Sequence, residues 1–355
     1  MNRHNDSMNR HSMLAPALLL VAMLSACAKK EAQPPAPDAA AIGAAREAKI
    51  ADALSAAHPG LAAVSGVMDW DGSVLKEGSG TYSCMPSPPD LVAAGIKAPM
   101  CMDAVWMEWA HAWQNHQPFT ARAVGVSYML AGDGGASNID PYATAETPDN
   151  DWVVEGPHLM VIVPDAAWLE GISTDPHNGG PYVMWKGTPY AHVMVPVQIP
   201  PRGEPGDPIA DALSAVHAEL ADSSAVMDWE MKTLKEGSSP YTCMPTPPML
   251  EGTAPMCMDG PWMNWAHAWM NKTQPEVTRL GISYMLAGDE GSSNVDPFAE
   301  GPTEDNQWVV EGPHVMLLVP DAAAMEGIPT DPNNGGPYVM WKGTPYAHVM
   351  VPVAD

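Results

Sequence analysis

Twice in each of two repeated segments of this 355-residue chain a histidine stands two residues before a methionine. The pairs are His158 with Met160 and His192 with Met194, then His314 with Met316 and His348 with Met350. Residues two apart in a β-strand point to the same face, so each pair would present an imidazole beside a thioether. Imidazole binds Cu(I) or Cu(II), and thioether favours Cu(I). Copper is therefore the cofactor this pattern suggests. Met107 and His111, four apart on one helix flank, could complete a soft nitrogen–sulfur site, as could Met263 and His267 in the second half. The competing explanation is packing. The chain has 26 Met and 13 Trp against 2 Phe, and methionine is a flexible core filler. A half-buried strand puts an apolar residue at every second position, and its histidines can simply hydrogen-bond within the sheet.

Other chemistry is more weakly signalled. Ser127 to Asp133, followed by Ser137, Asn138 and Asp140, offers oxygen donors of the kind Ca²⁺ takes. Its spacing departs from the EF-hand loop, and its density of Asn, Asp, Gly and Pro marks a turn. A histidine general base is conceivable, with His158 or His192 paired to Asp103 or Asp175, but no G-x-S-x-G elbow accompanies it. Trp106, Trp109 and Trp113 lie at helical spacing and read as core, not as a stacking platform for a ligand.

The elements that must position these residues come from periodicity. A helix is expected over 45–57 with Gly60 as its stop, placing His58, and His217 in the second half, where a helix dipole favours a cation. Strands at 67–70 and 74–76 flank Asp71-Gly72, a hairpin signal. Asp103 caps a helix over 104–115. Strands follow at 122–130 and 152–163, the latter broken by Gly156-Pro157, then a short helix at 165–170 and a hairpin of 181–185 with 190–197. Strand-rich order without βαβ alternation predicts α+β domains with a mostly antiparallel sheet and two or three helices each.

The chain is a tandem duplication. Residues 50–197 return as 209–353, three residues shorter in one loop, and NGGPYVMWKGTPYAHVMVPV occurs unchanged at 178–197 and 334–353. The copies differ at His116 and His177, which become Lys272 and Asn333, so neither histidine is essential to the fold. The expected organisation is a repeat domain at 46–197, a Pro-rich linker at 198–208 and a second repeat domain at 209–355. The two would pack as a pseudo-twofold pair. Each copy carries one cysteine pair, Cys84 with Cys101 and Cys243 with Cys257. These spacings are too wide for ordinary zinc ligation and read as disulfides. Each would stabilise its domain by about 3 kcal/mol in the chain-entropy picture.

The start of the chain points to a compartment. Arg3 and Arg10 precede the apolar run MLAPALLLVAMLSA, a secretory signal pattern. Leu24-Ser25-Ala26-Cys27 resembles the lipobox of bacterial lipoproteins. The resemblance implies a signal peptide at 1–26, cleavage before Cys27 and lipid on Cys27. Ala28 after the cysteine implies the outer membrane, facing the periplasm. An Ala/Pro-rich tether would span 27–45. The partner so implied is the membrane, reached through the lipid. Nucleic acid is a poor partner: cleavage would leave 14 basic against 41 acidic residues, a surface that repels phosphate. The combined expectation is a lipid-anchored envelope protein, a binding or structural module and not an enzyme. The alternatives are periplasmic copper handling through the His-x-Met strands and hydrolysis by a histidine base.

Overall fold

The computed structural model describes residues 39–201, 206–250 and 252–354. The first half runs α1 (Ala39–Leu54), α2 (Pro59–Val64), β1 (Gly66–Met68), β2 (Val74–Lys76), β3 (Ser83–Met85), α3 (Pro89–Ala93), β4 (Met100–Met102), α4 (Ala104–Gln114), β5 (Gly125–Met129), β6 (Ala136–Ser137), β7 (Trp152–Val153), β8 (His158–Ile162), β9 (Tyr182–Met184) and β10 (His192–Pro196). The second runs α5 (Pro208–Leu213), α6 (Ala218–Ser223), β11 (Ala225–Met227), β12 (Thr233–Lys235), β13 (Thr242–Met244), β14 (Met256–Met258), α7 (Gly260–Met270), β15 (Gly281–Met285), β16 (Ser292–Ser293), β17 (Trp308–Val309), β18 (His314–Leu318), β19 (Tyr338–Met340) and β20 (His348–Pro352). Each half is one eight-stranded sheet, ordered β2-β1-β3-β4-β5-β8-β10-β9 and β12-β11-β13-β14-β15-β18-β20-β19. Every neighbouring pair is antiparallel except β1 with β3 and β11 with β13. The expected α+β architecture with two homologous domains is what forms.

Strand alternation gives each sheet two chemically different faces. In β8, Leu159 and Val161 point one way; in β10, Val193 and Val195 do the same, and all are fully buried. They join one aliphatic core that also contains Val315, Leu317, Val349 and Val351 of the other half. The opposite face carries His158, Met160, His192 and Met194, and α4 lies over it through Val105, Trp106 and Trp109.

The halves grip each other symmetrically. Val124 N–H donates to the Ala324 carbonyl at 2.8 Å, and Leu280 N–H donates to the Trp168 carbonyl at 3.0 Å, the same pair of positions exchanged. Gly179 (φ 78°) lies against the backbone of α6, and Gly335 (φ 83°) lies against the carbonyl of Gly60. A Cβ at Gly335 would fall 2.7 Å from that oxygen. Both glycines belong to the unchanged twenty-residue block, and contact across the pseudo-twofold accounts for them.

The cysteine pairs form cross-strand disulfides, Cys84–Cys101 and Cys243–Cys257, at facing positions of β3 with β4 and β13 with β14. The spacing argument identified the bridges but not the strands that bear them. Other boundaries shift. The first helix begins at Ala39, so residues 39–45, expected as tether, belong to it. Gly60 stands inside α2 and does not end a helix. His58 and His217 precede α2 and α6 as N-caps, the end of a helix dipole that disfavours a cation. Burial holds the His217 imidazole down to about 4 and therefore neutral. The expected strand at 122–130 contracts to β5, and 165–170 forms a 3₁₀ turn over 166–169. The lipobox, Cys27 and the rest of 1–38 lie outside the described residues.

Glycine at the domain contact is testable. Gly187→Ala, at φ 84° with open space around it, should destabilise by about 1–2 kcal/mol from left-handed backbone alone. Gly335→Ala adds the collision with Gly60 and should lower the melting temperature clearly further in calorimetry. Equal effects would show that the close approach contributes nothing.

Candidate functional site

The His/Met face is assembled by register. Met160 pairs with Met194 across β8 and β10; Ser127 of β5 faces Met160, and Met102 of β4 faces Ser127. Met184 faces His192, and Met129 faces His158. One sheet face therefore gathers both His-x-Met pairs, as strand geometry anticipated. The two histidines nevertheless sit at opposite ends of it. His158 pairs with Pro196 at the far end of β10 from His192, four residues or about 13 Å along the strand. His158, Met160, His192 and Met194 cannot close on one ion.

The histidines also differ in surroundings. Nδ1 of His158 donates to the Gly156 carbonyl at 2.7 Å, and its Nε2 is fully buried with no partner; His314 repeats this arrangement at Gly312. Beside it the Tyr182 hydroxyl donates to Glu155 at 2.9 Å, and burial raises that carboxyl above its usual range. His192 donates from Nδ1 to the Tyr190 carbonyl at 2.9 Å, and His348 donates to Tyr346 at 3.0 Å. That bond selects the tautomer in which Nε2 carries a lone pair. Burial pushes both imidazoles down to about 4, so they are neutral at ordinary pH.

Three indoles enclose each of these rings edge-on. Trp106, Trp109 and Trp185 stand 5.3, 5.6 and 5.1 Å from His192 between ring centres. Trp262, Trp265 and Trp341 stand 5.3, 5.6 and 5.0 Å from His348. Asp103 places the helix that supplies two of them: it accepts from Trp106 N–H at 2.9 Å and from Val126 N–H at 2.7 Å, tying α4 to β5. Asp259 does the same for α7 with Trp262 and Ile282. The third indole is held at a backbone penalty. Trp185 (φ 57°) and Trp341 (φ 56°) are in the left-handed region, unusual for a bulky residue and typical of functional sites. Their indole N–H groups donate to the carbonyls of Ser137 and Ser293. Sequence reasoning missed these two tryptophans as site residues, although both lie in the unchanged block.

In the second half the chamber opens as a cavity of about 350 Å³. His348, Met316, Met340, Met350, Trp265 and Trp341 wall its buried part. Met231, Leu250 and Met270, each at least two-fifths exposed, mark its mouth, with Met263 and exposed His267 on the helix side. Five of the six second-half residues proposed from spacing thus line one cavity, and His314 does not. In the first half the longer cysteine loop folds as α3, whose Leu91 packs on the Met/Trp cluster. Leu91 and Ile96 lie over Gly134. Met107 packs partly buried in that cluster, whereas His111, four residues on along the same flank of α4, is exposed.

The remaining expectations resolve plainly. Ser127 to Met129 belong to β5; beyond it Asp133 accepts from Gly135 and Glu155 N–H and Ser137 accepts from Asp140 N–H, so those oxygens are committed to turns. Asp103 and Asp175 accept backbone N–H groups and do not pair with His158 or His192. Among the described residues no group of three or more His, Cys, Asp or Glu could hold a metal ion. Compared with known proteins, the chain matches no family model, no curated protein and no solved structure.

A neutral buried histidine links stability to pH. With a folded pKa near 4 against an ordinary 6.5, the unfolded chain binds the proton first. The His192 contribution is therefore complete above pH 6.5 and lost as pH falls through about 4. His192→Gln should lose less melting temperature than the parent between pH 7 and 4.5. Parallel profiles would mean that His192 protonates freely in the folded state.

Proposed function

We propose that this chain is a lipid-anchored protein of the bacterial envelope that binds a ligand and catalyses nothing, with the second-domain cavity as its binding site. The cavity carries the reading. Ligand pockets are concave and mostly apolar with a few placed polar groups, and run from about 300 Å³ upward. The cavity at His348 has that size and that lining. Its buried histidine has a set tautomer and no hydroxyl or carboxylate partner. Such a histidine suits recognition better than proton transfer, which needs an oriented base near a nucleophile.

Anchoring rests on Leu24-Ser25-Ala26-Cys27. Among the described residues no helix is long and apolar enough to cross a membrane. The net charge of −26 over the whole chain favours protein or small-ligand partners over nucleic acid.

Two experiments test this. In cells fed labelled palmitate, the parent should take up label and fractionate with the outer membrane, and Cys27→Ser should do neither. An unlabelled parent would remove the anchor from the proposal. For the cavity, a small apolar fluorophore such as N-phenyl-1-naphthylamine should bind saturably with one site per chain. Ala266→Phe, which projects a ring into the cavity, should weaken binding by at least about tenfold, or 1.4 kcal/mol. Unsaturable binding, or binding indifferent to Ala266→Phe, would refute the site.

A further inference from the structure

We infer that the second-domain cavity is a Cu(I) site, with Nε2 of His348 and the thioethers of Met316, Met340 and Met350 as donors, and that the first domain is a closed structural twin. This rests on reading the cavity as the binding site.

The donors are neighbours by register. Met350 follows His348 by two on β20 and shares its face. Met340 stands directly across from His348 on β19, and Met316 stands directly across from Met350 on β18. Facing residues have Cβ atoms about 5 Å apart and diagonal ones about 7–8 Å. Unbranched methionine side chains span such gaps with three rotatable bonds. Nε2 of His348 receives no hydrogen bond and, like Nε2 of His192, is not sealed off as Nε2 of His314 is. It is a lone pair opening on a space walled by sulfur and indole.

One imidazole with several thioethers is a soft donor set. Zn²⁺ and Ca²⁺ favour nitrogen, thiolate or oxygen donors, and no sufficient group of His, Cys, Asp or Glu occurs among the described residues. Cu(I) accepts thioether and imidazole.

Packing alone would explain buried methionines, so the exposed ones decide. Met231 and Met270 are 51% and 50% exposed at the cavity mouth, and the first copy has Gly72 and Gln114 at these positions. A half-exposed methionine fills no core. Met231 even holds a left-handed backbone (φ 64°), where glycine is the easier residue. Thioethers therefore continue from the buried histidine to the surface in the copy whose mouth is open. In the first copy, Leu91 packs on the Met/Trp cluster and lies with Ile96 over Gly134.

The test is an anaerobic Cu(I) titration of the exported, disulfide-bonded protein against bathocuproine disulfonate. Ascorbate, which spares disulfides, serves as reductant. One ion per chain should be retained, with sulfur in its X-ray absorption shell. Met316→Leu with Met350→Leu preserves side-chain volume and should weaken retention by about 100-fold or more, beyond the roughly 10- to 100-fold typical of supporting groups around a metal. Met160→Leu with Met194→Leu should change nothing. Copper left wholly with the chelator, or retained equally by the Met316/Met350 variant, overturns the Cu(I) assignment. Two ions, one lost with each variant, overturns the division between domains. Binding of N-phenyl-1-naphthylamine separates the two readings. If it persists when copper fails, the cavity still binds an apolar ligand; if both fail, the cavity reading falls too.

Discussion

The structure depends on each sheet being buried on both faces against different material. The aliphatic face of one sheet finds its cover in the other half: Val193, Val195, Val349 and Val351 all belong to one shared core. Neither half could leave that face in water without exposing a broad apolar surface, so pairing of the halves and folding of each half are coupled. The reciprocal bonds from Val124 to Ala324 and from Leu280 to Trp168 set the angle at which the pair meets. Gly179 and Gly335 let the backbones approach.

With one face committed to the partner, the other becomes the place where the domain differs from ordinary packing. The strand methionines Met85, Met100, Met102, Met129, Met160, Met184 and Met194 of the first half recur at the matching second-half positions. A helix capped by a buried aspartate roofs each face. Burial pushes Asp103 and Asp259 up to about 6 even though both accept backbone N–H bonds, so each cap is held against a desolvation cost. The same applies to Trp185 and Trp341, kept at positive φ to flank a histidine. Strain and desolvation at equivalent points of both copies mark the chamber as something the fold maintains. Around its mouth the copies differ by a three-residue change in the cysteine loop and by the exchanges Gly72 to Met231, Gln114 to Met270 and Gly134 to Glu290.

Much of this was legible in the residues. Alternation in HLMVI and HVMVP placed imidazole and thioether on one face, and the spacing of Asp103 from Trp106 and Trp109 announced a capped helix with an aromatic stripe. What misled was the step from shared face to shared point. His158 and His192 lie on one face because strand period is two, but antiparallel register sets them at opposite ends, and register is a property of two strands together. Trp185 was overlooked because its φ depends on the turn into β10 and on the carbonyl of Ser137, which no local pattern displays.

The sequence by itself determined the duplication, the disulfide pairing, the two-faced strands and the α+β class, because each follows from local periodicity or from comparing one copy with the other. Only the tertiary structure decided that His348 lines a cavity and which methionines stand around it. Those are matters of strand order, register and loop cover, set by contacts between residues far apart in the chain.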